Sequence, residues 1–472
     1  MPGRQNNSLG AALARRLTKA VQAGRRVPVA GARPLPVIKG VTPSFTVNRP
    51  LENILAEVED ILMRSERVYV YGNNIVMVRG AGESAHLVVL STAAHVNAEA
   101  TPLLANLFVC ESGGENNQAP IQFPPPTRLV ATSLSREPTR AALRRIHLYS
   151  RRPVFGPDFV LRGHGWHDDL GILVHGAEVD PIIPEPVDPD SPIADRLPYH
   201  IREVLADFAF RSDADTVNAV GIMLTGILVG LFVELGKAVV LLDGNQPGIG
   251  KTLLARVIGM ILDGGNPVAM HFTTDDEELG KRICATLRER DQSIVLIDNA
   301  KVRSGTVINS PVIEANSMAP EISLRILGQS ANYTRPNDLL WMLTMNQTKA
   351  SADLVSRGVP IRFHFDGNPG DREFNNRDPI TFAKQNRIEL LGELVGMVIR
   401  WNQLGRPLGR QRHRCAQWAQ IVGGVLDANG LPEFLGNLDE SAAEFNMELD
   451  ELAALAEAAV SSRTPPGAFF IT

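Results

Sequence analysis

An apolar run, KAVVLLDG, passes directly into NQPGIGKT (Asn245–Thr252) and then into LLARVIGMIL. A strand, a glycine-rich loop and a helix in this order leave few structural solutions, because the loop must convert a buried strand into a helix within a handful of residues. Glycines let successive backbone N–H groups face one enclosed volume, and the helix N-terminus adds partial positive charge, so the segment is suited to cradling phosphates. Pro247, Gly248, Ile249, Gly250 and Leu253 belong to this cradle, Lys251 is expected to reach the β- and γ-phosphates, and the Thr252 hydroxyl to bind Mg²⁺. Asn245 stands where such loops usually begin with glycine, a departure softened by the tolerance of Asn for left-handed backbone angles. ATP and Mg²⁺ are therefore the expected ligands.

A second acidic strand is needed to complete a metal site of this kind. SIVLIDNA supplies it, with four apolar residues (Ile294–Ile297) leading to Asp298 at the C-terminal edge of a buried strand, where ligand sites of α/β sheets lie. Asp298 is expected to hold Mg²⁺ through water. The next residue is Asn299, where a glutamate base is common; Asn can orient water but cannot accept its proton, which leaves slow hydrolysis or another carboxylate as the alternatives. The buried run LLWMLTM ends in Asn346, a polar side chain placed for the γ-phosphate and the attacking water.

Around this centre the 472 residues are too many for one ordinary core. The predicted organisation is a basic arm over 1–50, a small α+β module, with a winged-helix form as one option, over 51–178, a Pro-rich linker over 179–198, a parallel-sheet core over 199–385, and a helical region over 386–472. In the module, ENILAEVEDILMRS has helical spacing, VYVYGNNIVMVRG reads as a hairpin about an Asn-Asn turn, and 139–149 as a further helix. The arm carries nine Lys and Arg up to Leu51 and no Asp or Glu, against a whole-chain net charge of −5. It reads as a contact for nucleic acid or an acidic partner, as a solvated tail, or as a serine-poor transit peptide. Cys110, Cys284 and Cys415 form no CxxC pair, so a reducing, cytoplasmic setting is expected. Thr216–Val233 is uncharged over 18 residues, but its Asn, two Thr and three Gly and its place before the core read as a buried helix, not a membrane span.

With GNQPGIGKT, IDNA, LRILGQS and TMNQTKASADLVSRGVPIRF in view, the stretch from Arg202 to about Leu455 resembles AAA+ ATPases, and more closely the superfamily 3 type helicase domains of phage and plasmid primase-helicase proteins. The resemblance implies an AAA+-like P-loop core, with Asn346 as sensor of the γ-phosphate. Arg357, in the stretch Asp353-Leu354-x-x-Arg357, is then the finger offered to a neighbouring subunit, with Arg362 as the alternative. It also implies a homo-oligomeric ring, hexameric in such proteins, acting on DNA, single-stranded by preference. SLRILGQSANYTRPN would be the hairpin pushed into the central channel, with Arg325, Tyr333 and Arg335 as candidate DNA contacts. The function implied is a helicase-like motor in replication of a mobile element; a hydrolysis-poor ATP-dependent switch, regulatory or defensive, is the alternative raised by Asn299. No primer-synthesising carboxylate pair is evident in the first 200 residues, so primase activity is not predicted. Two clusters stay open at this stage: HGWHDD (His164–Asp169) as metal ligands or a polar turn, and Arg400, Arg406, Arg410, Arg412 and Arg414 as a DNA contact or a solvated loop.

Overall fold

The computed structural model describes residues 29–30, 44–46, 51–80, 82–90, 109–112, 121–123, 127–188, 190–300, 307–346, 349–371, 378–445 and 457. Nearly all of the basic arm and most of the Glu-rich segment MELDELAALAEAA lie outside them.

The alternation of strand and helix after Arg202 produces a five-stranded, all-parallel sheet. In chain order its strands are β6 (Val239–Gly244), β7 (Ala269–His271), β8 (Ile294–Ala300), β11 (Leu340–Met345) and β12 (Gly358–Phe363), and they lie side by side as β7-β8-β11-β6-β12. Every residue of β6, β11 and β12 is buried, as expected of strands covered on both faces. Helices α4 (Lys251–Asp263) and α5 (Asp276–Glu289) connect β6 to β7 and β7 to β8. Edge strand β7, only three residues long, and helix α6 (Pro311–Met318) were not evident in the sequence pattern.

The apolar stretch before the core is two helices, α2 (Asp213–Ile227) and α3 (Val229–Leu235), bent by 89° at Leu228. Both belong to the largest hydrophobic cluster, together with α7 (Arg387–Gln403) and α8 (Ala416–Ala428), so the C-terminal helices and the sheet share one core. Among the described residues no single helix is long and apolar enough to cross a membrane. The proline-rich segment runs extended against α7, with the Ile182 N–H donating to the Gly392 carbonyl at 2.9 Å.

Upstream, α1 (Leu51–Ser65) precedes a four-stranded sheet in the order β3-β2-β1-β4, built from β1 (Val68–Tyr71), β2 (Asn74–Arg79), β3 (His86–Val89) and β4 (Arg145–Ile146). The expected hairpin is present, but it turns at Gly72-Asn73, one position earlier than the Asn-Asn pair. The helix expected over 139–149 stops at Ala142; the chain then forms β4 and β5 (Leu148–Ser150), because Ile146 pairs with Tyr71 and Leu148 with Ile172 in parallel ladders that helical propensity does not foresee.

A separate antiparallel hairpin, β9 (Glu321–Arg325) and β10 (Asn332–Pro336), precedes β11, and Leu327 is exposed in its turn. The β1–β2 turn docks on it: the Asn73 N–H donates to the Thr334 carbonyl at 3.2 Å, and the Thr334 N–H to Asn73 Oδ1 at 3.0 Å. Beneath that contact, buried Asp338 accepts from Arg335, from the Tyr71 hydroxyl and from the Tyr149 N–H, joining three elements through one carboxylate.

Candidate functional site

Parallel strands of one sheet deliver their C-terminal ends to one edge, and the glycine-rich loop leaves β6 there. Gly250 adopts φ 108° and caps α4, a backbone conformation that a side chain would strain. Gly244, at the end of β6, is equally constrained by space: a Cβ there would lie 2.3 Å from Ile249 Cδ1 and 3.3 Å from Lys251 Nζ. Ile249 is buried behind the loop, while Pro247 and Gly248 are exposed at its tip and Leu253 is half-buried on the first turn of α4.

Asn245 does not use the left-handed backbone that its place in the sequence suggested; its φ is not positive. Its amide instead pairs with the Phe365 backbone in both directions, Nδ2 donating to the carbonyl at 2.9 Å and Oδ1 accepting the N–H at 3.2 Å. Gln246 adds donations to the carbonyls of Phe365 and Gly367 at 2.8 and 2.9 Å. The loop is thereby fastened to the segment following β12.

Lys251 is buried, and its Nζ donates to the Gln246 carbonyl at 2.9 Å, holding the ammonium against the loop. The Thr252 hydroxyl donates to Asp298 Oδ1 at 2.7 Å. Asp298 ends the apolar part of β8, immediately after Ile294–Ile297, each with no exposed surface. The ladder between β8 and β11 slips between Ile297 and Ala300, and Asn299 sits in that irregularity with φ 55°. The left-handed tolerance of Asn is thus exercised at Asn299, which is turned outward and exposed. Asn346, just past β11, brings Nδ2 to 3.5 Å from Asn299 Oδ1, a separation at the limit of a hydrogen bond.

One participant was missed from the sequence. Buried Thr344 on β11 donates its hydroxyl to Asp298 Oδ1 at 2.7 Å and accepts the Asn299 N–H at 2.7 Å, so it fixes both the carboxylate and the bulge. A signal existed: Thr344 is a hydroxyl in an otherwise apolar strand and lies two residues before Asn346, hence on the same strand face. Thr344→Val is expected to lower stability by about 1–3 kcal/mol by stranding the Asn299 N–H, whereas Thr344→Ser keeps most of it. Urea unfolding of both variants checks this, and equal losses would refute the hydroxyl's role.

Arg357 is not part of this cluster. It precedes β12, whose Gly358 pairs with Val239 at the start of β6, while Gly244 pairs with Phe363. Arg357 therefore stands at the opposite end of the sheet, roughly 20 Å from the loop at ~3.3 Å per residue. It ion-pairs with Asp353 at 2.6 Å and donates to the Glu314 carbonyl. Arg362 is interior, 2% exposed; its N–H donates to Asp215 at 2.7 Å and its guanidinium meets Glu440 at 3.0 Å. A residue packed in this way does not extend to a neighbour, which corrects its place as the alternative finger.

The proposed DNA contacts divide. Arg325 is exposed on the hairpin. Tyr333 and Arg335 are buried at 1% and 4% exposure, Tyr333 in the apolar cluster beneath β8 and β11 and Arg335 in the Asp338 network, so neither can meet a strand of DNA. Alternation explains the error, since every second residue of β10 faces inward. The HGWHDD cluster is likewise not a metal centre: His167 bonds the Gly163 carbonyl, Asp169 pairs with Arg162, and Asp168 accepts from Trp166. Among the described residues no group of three or more His, Cys, Asp or Glu could hold a metal ion. Of the five late arginines, Arg406 is buried over the Phe159 ring, Arg400 bonds the carbonyls of Ala428 and Pro184, Arg414 meets Asp353, and Arg410 and Arg412 are exposed.

No protein-family model matches the chain. No curated protein matches it either. Among solved structures it is similar to the apo C-terminal region of NrS-1, with 9% identity and a TM-score of 0.38 over 78% of this chain and 71% of that one. A second structure of that region gives 11% identity and 0.35 over 69% and 64%. JCV helicase gives 13% identity and 0.24 over 50% of this chain and 66% of that chain. Likenesses this distant carry nothing about the site.

Proposed function

We propose that the chain is a P-loop ATPase that works as a helicase-like motor on DNA, assembled as a homo-oligomeric ring. The single observation that carries the reading is the convergence of Lys251, Thr252 and Asp298 at the carboxyl edge of the central strands, with the Thr252 hydroxyl 2.7 Å from the carboxylate. The N-terminus of α4 and the positive-φ glycines beside it favour a bound polyphosphate. A hydroxyl and a carboxylate facing each other make a hard-oxygen donor pair that fits Mg²⁺, which when bound would neutralise charge on the phosphates. Lys251 would then exchange its bond to the Gln246 carbonyl for phosphate oxygens. Asn299 and Asn346 would orient the attacking water through their amides, and neither can take up its proton. That limitation keeps a second reading alive, a slow ATP-dependent switch with the same site.

Arg357 supports the oligomer. At the sheet end remote from its own loop it cannot serve that loop, and to meet a neighbour it would have to exchange its ion pair with Asp353 for the neighbour's phosphates. If it completes a neighbour's site, Arg357→Ala lowers turnover by about 10³-fold, and mixing it with the equally inactive Lys251→Ala chain restores measurable hydrolysis at mixed interfaces. Mixed oligomers verified by native mass spectrometry but still inactive would sink the assignment. The motor reading is tested by ATP turnover with and without single-stranded DNA: stimulation and strand displacement are expected, and ATP binding with neither would favour the switch.

A further inference from the structure

A cavity of about 250 Å³ lies where the N-terminal module, helix α3 and the β9–β10 hairpin meet. Its apolar wall is the margin of a small hydrophobic cluster: Leu148 and Ile172 are buried members, and Leu170 and Val233 are half-buried against them. Pro157 lines it from the turn between Phe155 and Leu161. Glu234 in the last turn of α3 and Glu321 at the start of β9 line it too, and both are exposed. Neither carboxylate makes a hydrogen bond or ion pair among the described residues, and no Lys or Arg among them lines the cavity; His147 is the remaining titratable group. Lys237, the lysine nearest Glu234 in sequence, is buried and donates to the Asn337 carbonyl at 2.6 Å, and Arg335 behind β10 is held by Asp338. The volume is below the ~300–1,000 Å³ of small-molecule sites, so the space suits peptide side chains better than a free ligand.

The chain itself supplies a candidate occupant. Val29–Ala30 pairs in parallel with Leu161–Arg162, which pairs antiparallel with Val154–Phe155. Parallel register, Val29 with Leu161 and Ala30 with Arg162, means that the chain enters Val29 from the side of Val160 and the turn holding Pro157. The residues immediately before Val29 are Arg25-Arg26-Val27-Pro28. Extended at ~3.3 Å per residue they can cover roughly 13 Å, and Pro28 biases Val27 towards that extended backbone. Asp158, in the same turn, is already taken by Arg162 at 2.7 Å, which leaves Glu234 and Glu321 as the carboxylates open to an incoming cation.

We propose that the segment Arg25–Pro28 of the basic arm docks in this cavity within its own chain, with Val27 against Leu148, Leu170 and Ile172 and with Arg25 and Arg26 on Glu234 and Glu321. Strand direction delivers the segment, the apolar wall takes the valine, and the two carboxylates select the arginines. The arm would then be fastened to the junction of module, α3 and hairpin, with two of its nine cations neutralised by the body. The docking is independent of the function assigned to the glycine-rich loop.

The test is limited trypsin digestion of the full chain, with cleavage at each arginine followed by mass spectrometry. Cleavage after Arg25 and Arg26 is expected to be slower by about tenfold than cleavage after Arg15 and Arg16 of the same chain. Glu234→Gln with Glu321→Gln should speed cleavage at Arg25 and Arg26 by about threefold, and the two Lys replacements by about tenfold, with Arg15 and Arg16 unaffected. Equal rates at the two arginine pairs in the unsubstituted chain overturn the proposal. Protection that neither pair of Glu substitutions changes also overturns it, since the Val29–Ala30 ladder alone would then account for the slow cleavage. Protection that fades on dilution makes the occupant the arm of a second copy and overturns docking within one chain. Thermal unfolding controls for folding, and the Gln pair decides if the charge reversal unfolds the chain.

Discussion

Lys251→Ala is expected to reduce ATP turnover by at least ~10²-fold while leaving the fold in place. Lys251 is buried at the first turn of α4 with its Nζ 2.9 Å from the Gln246 carbonyl, so it is positioned before any ligand arrives. On our reading its charge acts mainly on the transferring phosphate, where negative charge rearranges most, so kcat should fall more than KM rises. Thr252→Ala removes the hydroxyl that meets Asp298 and is expected to raise the Mg²⁺ concentration needed for half-maximal rate. Steady-state kinetics across a Mg²⁺ series separates the two. Turnover surviving in Lys251→Ala would refute the loop as the hydrolytic site.

The second large effect concerns stability. Asp338→Ala is expected to destabilise the chain by about 3–5 kcal/mol, read from urea unfolding, because Arg335 would be left charged in the interior without its partner. Asp338 is 1% exposed and also accepts from the Tyr71 hydroxyl and the Tyr149 N–H at 3.2 Å, so the loss spreads across β1, β5 and the hairpin. The Arg335 guanidinium lies 4.6 Å from the centre of the Tyr71 ring. Replacing both charges by apolar residues of similar size, Arg335→Met with Asp338→Leu, should recover much of the deficit, since two desolvated charges are then removed together. A double variant as unstable as Asp338→Ala alone would contradict that account.

The parts of the fold that were legible are those whose signal is local. Four consecutive apolar residues before Asp298 could scarcely be anything but an interior strand, and the glycines between KAVVLL and LLARVIGMIL left one way to join strand to helix. The strands at Leu340–Met345 and Gly358–Phe363 were equally readable. Short elements were not: β7 has three residues, β4 and β5 two and three, and each exists because a neighbouring strand offers a ladder. Burial of Tyr333 and Arg335 turned on which face of β10 meets the core, a one-residue difference in phase that propensity does not encode.

The same division runs through the site. The sequence by itself determined the chemical types and their order: a glycine-rich turn with Lys251 and Thr252, an acidic strand end at Asp298, and an amide at Asn346. Those follow from short-range rules of backbone conformation and burial. Tertiary structure alone decided that Thr344 reaches Asp298, that Asn245 spends its amide on Phe365, that Asn299 rather than Asn245 takes the left-handed backbone, and that Arg357 stands at the sheet end remote from its own loop. These depend on strand order and register across more than a hundred residues, because hydrogen-bond partners are chosen by position in the sheet, and position is settled only when the whole core has packed.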